Sequence, residues 1–150
     1  MRSKAYATTS VDWTKSRGDI QKLLEKNDIK DVAFSDFENN FQIIFLKNLE
    51  FEGKRIRMGV KLVIPNMNTR NKNQLHRALF YYLKAKFESL DFGFVEEYNE
   101  AFVKEFMPYL VTDRSGKTVS DLIIPKFANQ IESTEQDTQL YLESKEAEKA

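Results

Sequence analysis

The residues of this sequence best suited to a chemical task are its cations. Between Gly53 and Phe87 there are nine basic residues and no acidic one. Lysine and arginine side chains pair with phosphates, and each phosphate neutralised releases condensed counterions, so this stretch suits a nucleic-acid backbone. No groove-reading motif accompanies the cations, and we therefore expect a non-enzymatic protein that binds DNA or RNA without sequence specificity. The predicted phosphate contacts are Arg55, Arg57, Lys61, Arg70, Lys72, Arg77, Lys84 and Lys86.

The charge distribution supports a second interpretation of the same cations. Residues 1–90 hold 17 basic and 10 acidic residues, a net charge of +7, whereas residues 91–150 hold 6 and 13, a net charge of −7. Complementary halves of this kind can pair within one chain or between chains. The alternative function is therefore a protein-interaction module, either a homo-oligomer or an inhibitor of a host protein. An acidic C-terminal segment can also occupy a nucleic-acid site and regulate it.

A metal-dependent nuclease is a third interpretation. Asp36 followed by Glu52-Gly53-Lys54 imitates the two carboxylates and the lysine of a divalent-metal site for phosphodiester cleavage. Glu52 and Lys54 flank a predicted hairpin turn, however, whereas such a site needs them on one rigid strand. We therefore predict no catalytic residue, no metal ligand and no cofactor.

The composition excludes several other kinds of site. The chain has no cysteine and one histidine, His76, so disulfides, thiolate metal sites and sites with several histidines are impossible. We expect His76 to be a surface residue at the start of a helix. No apolar run approaches the roughly 18 residues that span a bilayer, and the N-terminus lacks the apolar segment of a secretory signal. These features predict a cytoplasmic protein with no membrane partner.

One helix and three strands are predicted to carry the first part of the basic stretch. Ser16 and Asp19 have the spacing of a capping box, and the helix is expected over about residues 16–27. Turn signals at residues 38–40 and at Glu52-Gly53 separate the strands. In the third strand Arg55, Arg57 and Lys61 alternate with apolar residues, which predicts a half-buried antiparallel sheet whose open face carries the cations.

Further helices follow an asparagine-rich loop at residues 66–73. A long helix is predicted over about 74–91 and ends at Gly93 in a left-handed C-cap. A third is predicted over about 95–107, and Thr118 with Asp121 begins a short helix that Pro125 strains or ends. Residues 129–150 are polar and acidic, which predicts a frayed helix or a disordered tail.

The predicted fold class is α+β. A three-stranded antiparallel sheet has helices packed on one face, in the order α-β-β-β-α-α, followed by a short C-terminal helix and an acidic tail. The predicted boundaries are an N-terminal arm at 1–14, a single domain at 15–128 and the tail at 129–150. Double-stranded-RNA-binding domains share the order of helix, three strands and helix, which is an analogy at the level of the fold.

Aromatic residues are unusually dense at the end of the basic stretch and just after it. Six of them, too many for one stripe of a helix, are Phe80, Tyr81, Tyr82, Phe87, Phe92 and Phe94. A large core between sheet and helices explains most of them, and an exposed Tyr81 or Phe80 would form an interface or a stacking platform. Trp13 could anchor the N-terminal arm to the same core or to a partner subunit.

Several segments spread over residues 5–125 form a joint pattern. They are Ala5-Tyr6-Ala7-Thr8-Thr9-Ser10-Val11, Lys15-Ser16-Arg17, Arg77-Ala78-Leu79, Lys84-Ala85-Lys86-Phe87-Glu88-Ser89, Gly93, Phe102 to Tyr109, and Gly116-Lys117-Thr118-Val119. With them the chain resembles an uncharacterised family of small bacteriophage and prophage proteins. The resemblance implies a phage or mobile-element setting in the host-cell cytoplasm, and no catalytic residue. The chain departs from the family at Tyr81-Tyr82 and Phe87, where aliphatic residues are usual, and in its asparagine-rich loop.

Overall fold

Three strands in chain order form one antiparallel sheet, with helices packed on it, which confirms the predicted α+β class. The structure is a computed structural model that describes residues 5–92, 97–128 and 131–149. Its elements are α1 (Trp13–Lys26), β1 (Val32–Asp36), β2 (Phe41–Phe51), β3 (Lys54–Ile64), α2 (Lys72–Asp91), α3 (Tyr98–Phe106), a 3-10 turn (Met107–Tyr109), α4 (Val119–Ala128) and α5 (Ile131–Lys149).

The central strand β2 sets the register of the sheet. Asp36 of β1 pairs with Phe41, and Phe51 pairs with Lys54 across a two-residue hairpin. The two hairpin residues, Glu52 and Gly53, have φ angles of 51° and 77°. Positive φ at both positions is the type I′ turn, whose twist matches that of the flanking strands. The predicted turn signal is therefore confirmed, and it aligns β2 with β3 along their full length.

The core lies on one face of this sheet. Alternate residues of β2 point into it, because successive side chains of a strand point to opposite faces. Each fully buried apolar side chain contributes roughly 1.5–3 kcal/mol relative to an exposed one. The buried core includes Ile20 and Leu24 of α1, Phe41, Ile43, Phe45 and Leu49 of β2, Leu79, Leu83 and Phe87 of α2, and Phe102 and Phe106 of α3.

The first helix begins earlier than predicted. Its N-cap is Asp12, whose carboxylate accepts a hydrogen bond from the backbone N–H of Thr14. Ser16, the predicted cap, is buried one turn inside the helix, and Asp19 pairs with Lys15 and Arg77 instead of a backbone N–H. A carboxylate near the first N–H groups is a strong cap, so the helix includes two residues that were predicted to belong to the arm.

The C-terminal helices also differ in detail from the prediction. The capping box of α4 is confirmed, since the Thr118 N–H donates to Asp121 Oδ2 at 2.9 Å. The helix continues through Pro125 rather than ending there. Of the two alternatives for the tail, the structure has the helix, α5. The third helix begins at Tyr98, and the predicted C-cap Gly93 lies outside the described residues. Within the described ranges, no helix is long and apolar enough to cross a membrane.

Candidate functional site

Three of the predicted phosphate contacts lie together on the open face of the sheet, as the alternation of β3 predicted. Arg55 faces Glu50 across the strand pair. Arg57 forms an ion pair with Asp31 in which both side chains are more than half exposed. Lys61 donates to the Gly116 carbonyl at 3.0 Å. This face is basic, but two of its three cations already have protein partners.

A chain segment after the 3-10 turn lies along the free edge of β3, where Leu110 forms an antiparallel bridge with Val60. The N–H of Val111 donates to the Gly59 carbonyl at 2.9 Å. A Cβ at Gly59 would lie 3.4 Å from the Val111 Cβ, so the glycine leaves room for this close approach. Gly59 therefore lies where the Val111 side chain packs against β3. This side chain occupies part of the open face that carries the cations.

Two predicted contacts on α2 are held in internal ion pairs. The Arg77 guanidinium is buried, lies 3.1 Å from Asp19 and stacks 4.3 Å from the Phe80 ring centre. Lys86 lies 3.2 Å from Glu105, and its side chain is only 13 % exposed. Removing either partner from such a pair leaves an uncompensated charge in a poorly hydrated place. A phosphate would have to displace a carboxylate to reach these two cations.

The remaining predicted contacts lie at the start of α2 and on its exposed side. Lys72 places its ammonium 3.7 Å from the Trp13 ring centre, a cation–π contact. Arg70 is exposed on the asparagine-rich loop. Lys84 is exposed and lies 3.8 Å from Glu88, one helical turn away. Because α2 packs on the core face of the sheet, these residues and the cations of β3 do not form one surface.

Sequence reasoning missed a groove between α1 and α2. It has a volume of about 280 Å³ and is lined by Asp19, Lys22, Leu23, Lys26, Phe80 and Lys84. Two of its lysines belong to α1. Acidic residues lie near them in the sequence, so the net charge of this segment does not show that it is basic on one face. The available signal was the four-residue spacing of Lys22 and Lys26, which places them on one helix face.

The expectation that His76 is a surface residue is wrong. The imidazole is fully buried and stacks on Phe41 at 3.9 Å between ring centres. Its Nδ1 lies 2.8 Å from the Lys72 carbonyl, and its Nε2 accepts from Arg17 Nε at 3.0 Å. Burial lowers the pKa of His76 to about 4, so the ring is neutral at pH 7. The helical stripe of α2 turns this position inward, and the histidine is a structural residue.

The residues of the nuclease hypothesis do not meet. Asp36 accepts from both terminal nitrogens of Arg17, at 3.0 and 2.5 Å, and this guanidinium holds the pKa of Asp36 below its usual range. Glu52 lies at the opposite end of β2, roughly 30 Å away at about 3.4 Å per residue. Among the described residues no cluster of three or more possible metal ligands occurs.

Trp13 packs against the buried His76, with ring centres 5.6 Å apart, and so anchors the start of α1 to the core.

Four large apolar side chains are exposed on α4. Leu122, Ile123, Ile124 and Phe127 are exposed by 41, 40, 63 and 56 %. The helix contacts the 3-10 turn that precedes it. Exposed apolar side chains on a small protein that are this close together in the chain indicate an interaction surface.

An apolar groove adjoins the same 3-10 turn. Its volume is about 350 Å³, and its lining is almost entirely apolar: Leu62, Val63, Ile64, Pro65, Leu75, Ala78, Leu79, Tyr82 and Tyr109. The hydroxyls of Tyr82 and Tyr109 hydrogen-bond to each other at its edge. Burial raises the pKa of Tyr109 to about 12, and the Lys86 ammonium lies 4.7 Å from the Tyr82 ring centre and 5.5 Å from that of Tyr109, so one cation borders this edge. We call this cavity the β3–α2 groove.

The acidic helix α5 does not cover the cations of its own chain. Every side chain described in it, from residue 135 to 149, is exposed. Its hydrogen-bonded side-chain pairs join residues within the helix, such as Gln139 with Glu143 and Lys145 with Glu148. The negative charge of α5 is therefore not neutralised by the basic region in the described part of the chain.

Comparison of the chain with protein-family models, with curated proteins and with solved structures finds no match. The phage or prophage setting implied by the resemblance stays a prediction. The function of the chain is therefore argued from the geometry of its own residues.

Proposed function

We propose that this protein is a protein-interaction module that self-associates through α4 and α5. The observation that carries the proposal is the row of four exposed apolar side chains on α4, next to an apolar groove in the same chain. The occupant of that groove would be α4 of a second copy. Burial of half-exposed side chains of this size contributes about 1 kcal/mol each, so the contact is favourable on both sides of a dimer.

The proximity of helix and groove explains why a second copy is the partner. Tyr109 lines the groove and belongs to the 3-10 turn that α4 contacts. When a patch and its complement lie side by side, a two-fold axis lets each copy insert its helix into the groove of the other. The arrangement closes at two copies and leaves neither apolar surface open.

Charge complementarity supports the same partner. Helix α5 carries six acidic and two basic residues. The asparagine-rich loop with Arg70 joins two residues that line the β3–α2 groove, Pro65 and Leu75. A second copy that inserts α4 would bring its acidic α5 to the basic side of the first. Such pairing steers association and fixes orientation.

The oligomeric state of single variants tests the proposal. Phe127→Asp places a charge in the apolar contact, and Ala78→Asp does so on the α2 wall of the groove; both variants should be monomeric in sedimentation equilibrium, whereas the wild type dimerises. Phe37→Asp is the matched control, because Phe37 is 53 % exposed but belongs neither to α4 nor to the groove. Circular dichroism checks that each variant is folded.

Mixing the two monomeric variants gives a sharper result. In a heterodimer of Phe127→Asp and Ala78→Asp, both changes fall in one of the two contacts, and the other contact has only wild-type residues. The mixture should therefore recover dimer, although each component alone does not. A monomeric wild type at every concentration, or a mixture that stays monomeric while both variants are folded, would contradict the proposal.

A further inference from the structure

We infer that the groove between α1 and α2 binds the backbone of a single-stranded nucleic acid. This goes beyond self-association, and it uses residues that lie outside α4, α5 and the β3–α2 groove. Two lysines of α1 and one of α2 border the groove, and the Phe80 ring forms part of its lining.

The row on α1 has helical spacing. Lys15, Lys22 and Lys26 follow one another at intervals of seven and four residues, which places them on the same helix face. Lys22 and Lys26 line the groove and are exposed. They are about 6 Å apart along the helix axis at 1.5 Å per residue. Two mobile ammonium groups on one face can follow consecutive phosphates of a flexible strand.

One lysine of α2 lies on the other side of the groove from Lys22 and Lys26. Lys84 lines the groove opposite α1, and its pairing with Glu88 is an exposed contact at 3.8 Å, which is worth little in water. Asp19 is the one acidic residue among those that line the groove in the described chain, and it pairs with Arg77 and Lys15. Its charge is therefore compensated locally, and the groove keeps a positive potential.

The aromatic rings favour a single strand over a duplex. Phe80 lines the groove, and its neighbour Tyr81 is 42 % exposed. Tyr6 stacks on Tyr81 with ring centres 5.2 Å apart and an interplanar angle of 9°. Unpaired bases stack on such rings, whereas the bases of a duplex are already stacked on one another. The open face of the sheet has cations but no ring contact of this kind among its described pairs, so the helical groove is the better site.

Of the predicted phosphate contacts, Lys84 would contact the strand in this groove, together with Lys22 and Lys26. Arg77 becomes a positioning residue, because its guanidinium holds Asp19 and packs on Phe80 instead of facing solvent. The three cations of β3 are not required for binding in this arrangement.

Fluorescence anisotropy with labelled single-stranded DNA and RNA oligonucleotides and with a matched duplex, over a series of salt concentrations, tests the inference. We expect the wild type to bind single strands more tightly than the duplex, with the logarithm of affinity falling linearly with the logarithm of salt. The triple variant Lys22→Ala, Lys26→Ala, Lys84→Ala should lose roughly tenfold or more at low salt, and its salt slope should fall by about 2.

A charge-matched control separates this groove from a general effect of positive charge. The triple variant Lys54→Ala, Arg55→Ala, Lys117→Ala removes three exposed cations away from the groove and should bind as the wild type does. Tyr81→Ala should weaken single-strand binding roughly fivefold or more while leaving any duplex binding unchanged.

Three outcomes would overturn the inference. They are no binding to any oligonucleotide at low salt, equal losses in the two triple variants, and a Tyr81→Ala variant that binds normally. The monomeric Phe127→Asp variant should keep the affinity of the wild type for a short oligonucleotide. A failure of self-association is thereby distinguished from a failure of the nucleic-acid site.

Discussion

At the scale of single residues, a cluster of polar side chains links α1, β1 and α2, with the imidazole of His76 fully buried in it. Arg17 is its centre: it donates to Asp36 and to His76, and its guanidinium lies 4.6 Å from the Trp13 ring centre and 4.7 Å from that of Phe34. Every hydrogen-bonding atom of the neutral imidazole has a partner, which is the condition under which a buried polar side chain costs little. Because its guanidinium is held by Asp36 and His76, Arg17 is not available to bind a ligand.

The state of His76 predicts how stability depends on pH. Its pKa is about 4 in the folded protein and about 6.5 in an unfolded chain, so the unfolded state binds more protons between these values. The free energy of unfolding should therefore fall as the pH drops from about 6.5 to 4, by up to roughly 3 kcal/mol from this residue. Urea unfolding at several pH values measures it.

The variant His76→Gln isolates this contribution. It should be less stable than the wild type at pH 7, because the stack on Phe41 and one hydrogen bond are lost. The difference between the two proteins should shrink between pH 6.5 and 4, since only the wild type loses stability through the histidine. A constant difference over that range would show that His76 does not titrate with folding.

At the scale of elements, the hairpin between β2 and β3 fixes which side chains face the core. A shift of one residue in this register would turn Phe41, Ile43 and Phe45 to the open face. The turn that prevents it is strained at one position, because Glu52 has a φ of 51°, which side chains with a Cβ seldom adopt. Gly53 adopts its own φ of 77° without that cost.

A substitution in this turn should therefore stabilise the protein. Glu52→Asn gives the Asn-Gly pair that type I′ turns favour, and we expect the free energy of unfolding to rise by about 0.5–1 kcal/mol. Chemical denaturation compares it with Glu50→Asn, an exposed neighbour in the strand that should give no such gain. Equal stability of Glu52→Asn and the wild type would mean that the turn stores no strain.

At the scale of the whole molecule, the separation of charge is not resolved by folding. The basic region contains the sheet and the two longest core helices, and its buried cations Arg77 and Lys86 pair with Asp19 of α1 and Glu105 of α3. The acidic α5 remains exposed where it is described. The opposite charges of residues 1–90 and 91–150 are therefore available for contacts between molecules.

Salt should separate the two components of self-association. At physiological ionic strength, salt screens the attraction between exposed charges that are more than about 8 Å apart, and higher salt shortens this distance. Salt does not screen apolar contacts. We expect the dimer to weaken as salt rises and yet to persist, because α4 supplies the apolar part. A chain that lacks residues 131–150 should dimerise more weakly at low salt and show little change with salt. A wild-type dimer that dissociates fully at high salt would mean that charge alone holds it.

The sequence by itself determined the elements and the faces of the sheet. Periodicity and turn chemistry act between neighbours in the chain, so the alternation in β3, the Glu52-Gly53 turn and the capping box at Thr118 could be predicted and are confirmed. The cations of β3 lie on the open face for the same local reason.

Only the tertiary structure decided which cations are free. Arg77 meets Asp19 across 58 residues, and Lys86 meets Glu105 across two helices. The burial of His76 and the groove that joins Lys22 to Lys84 likewise depend on how α1 packs against α2. The sequence shows where the charged residues lie along the chain. Which of them form ion pairs depends on distances that the packing of the helices sets, and a short stretch of sequence does not predict that packing.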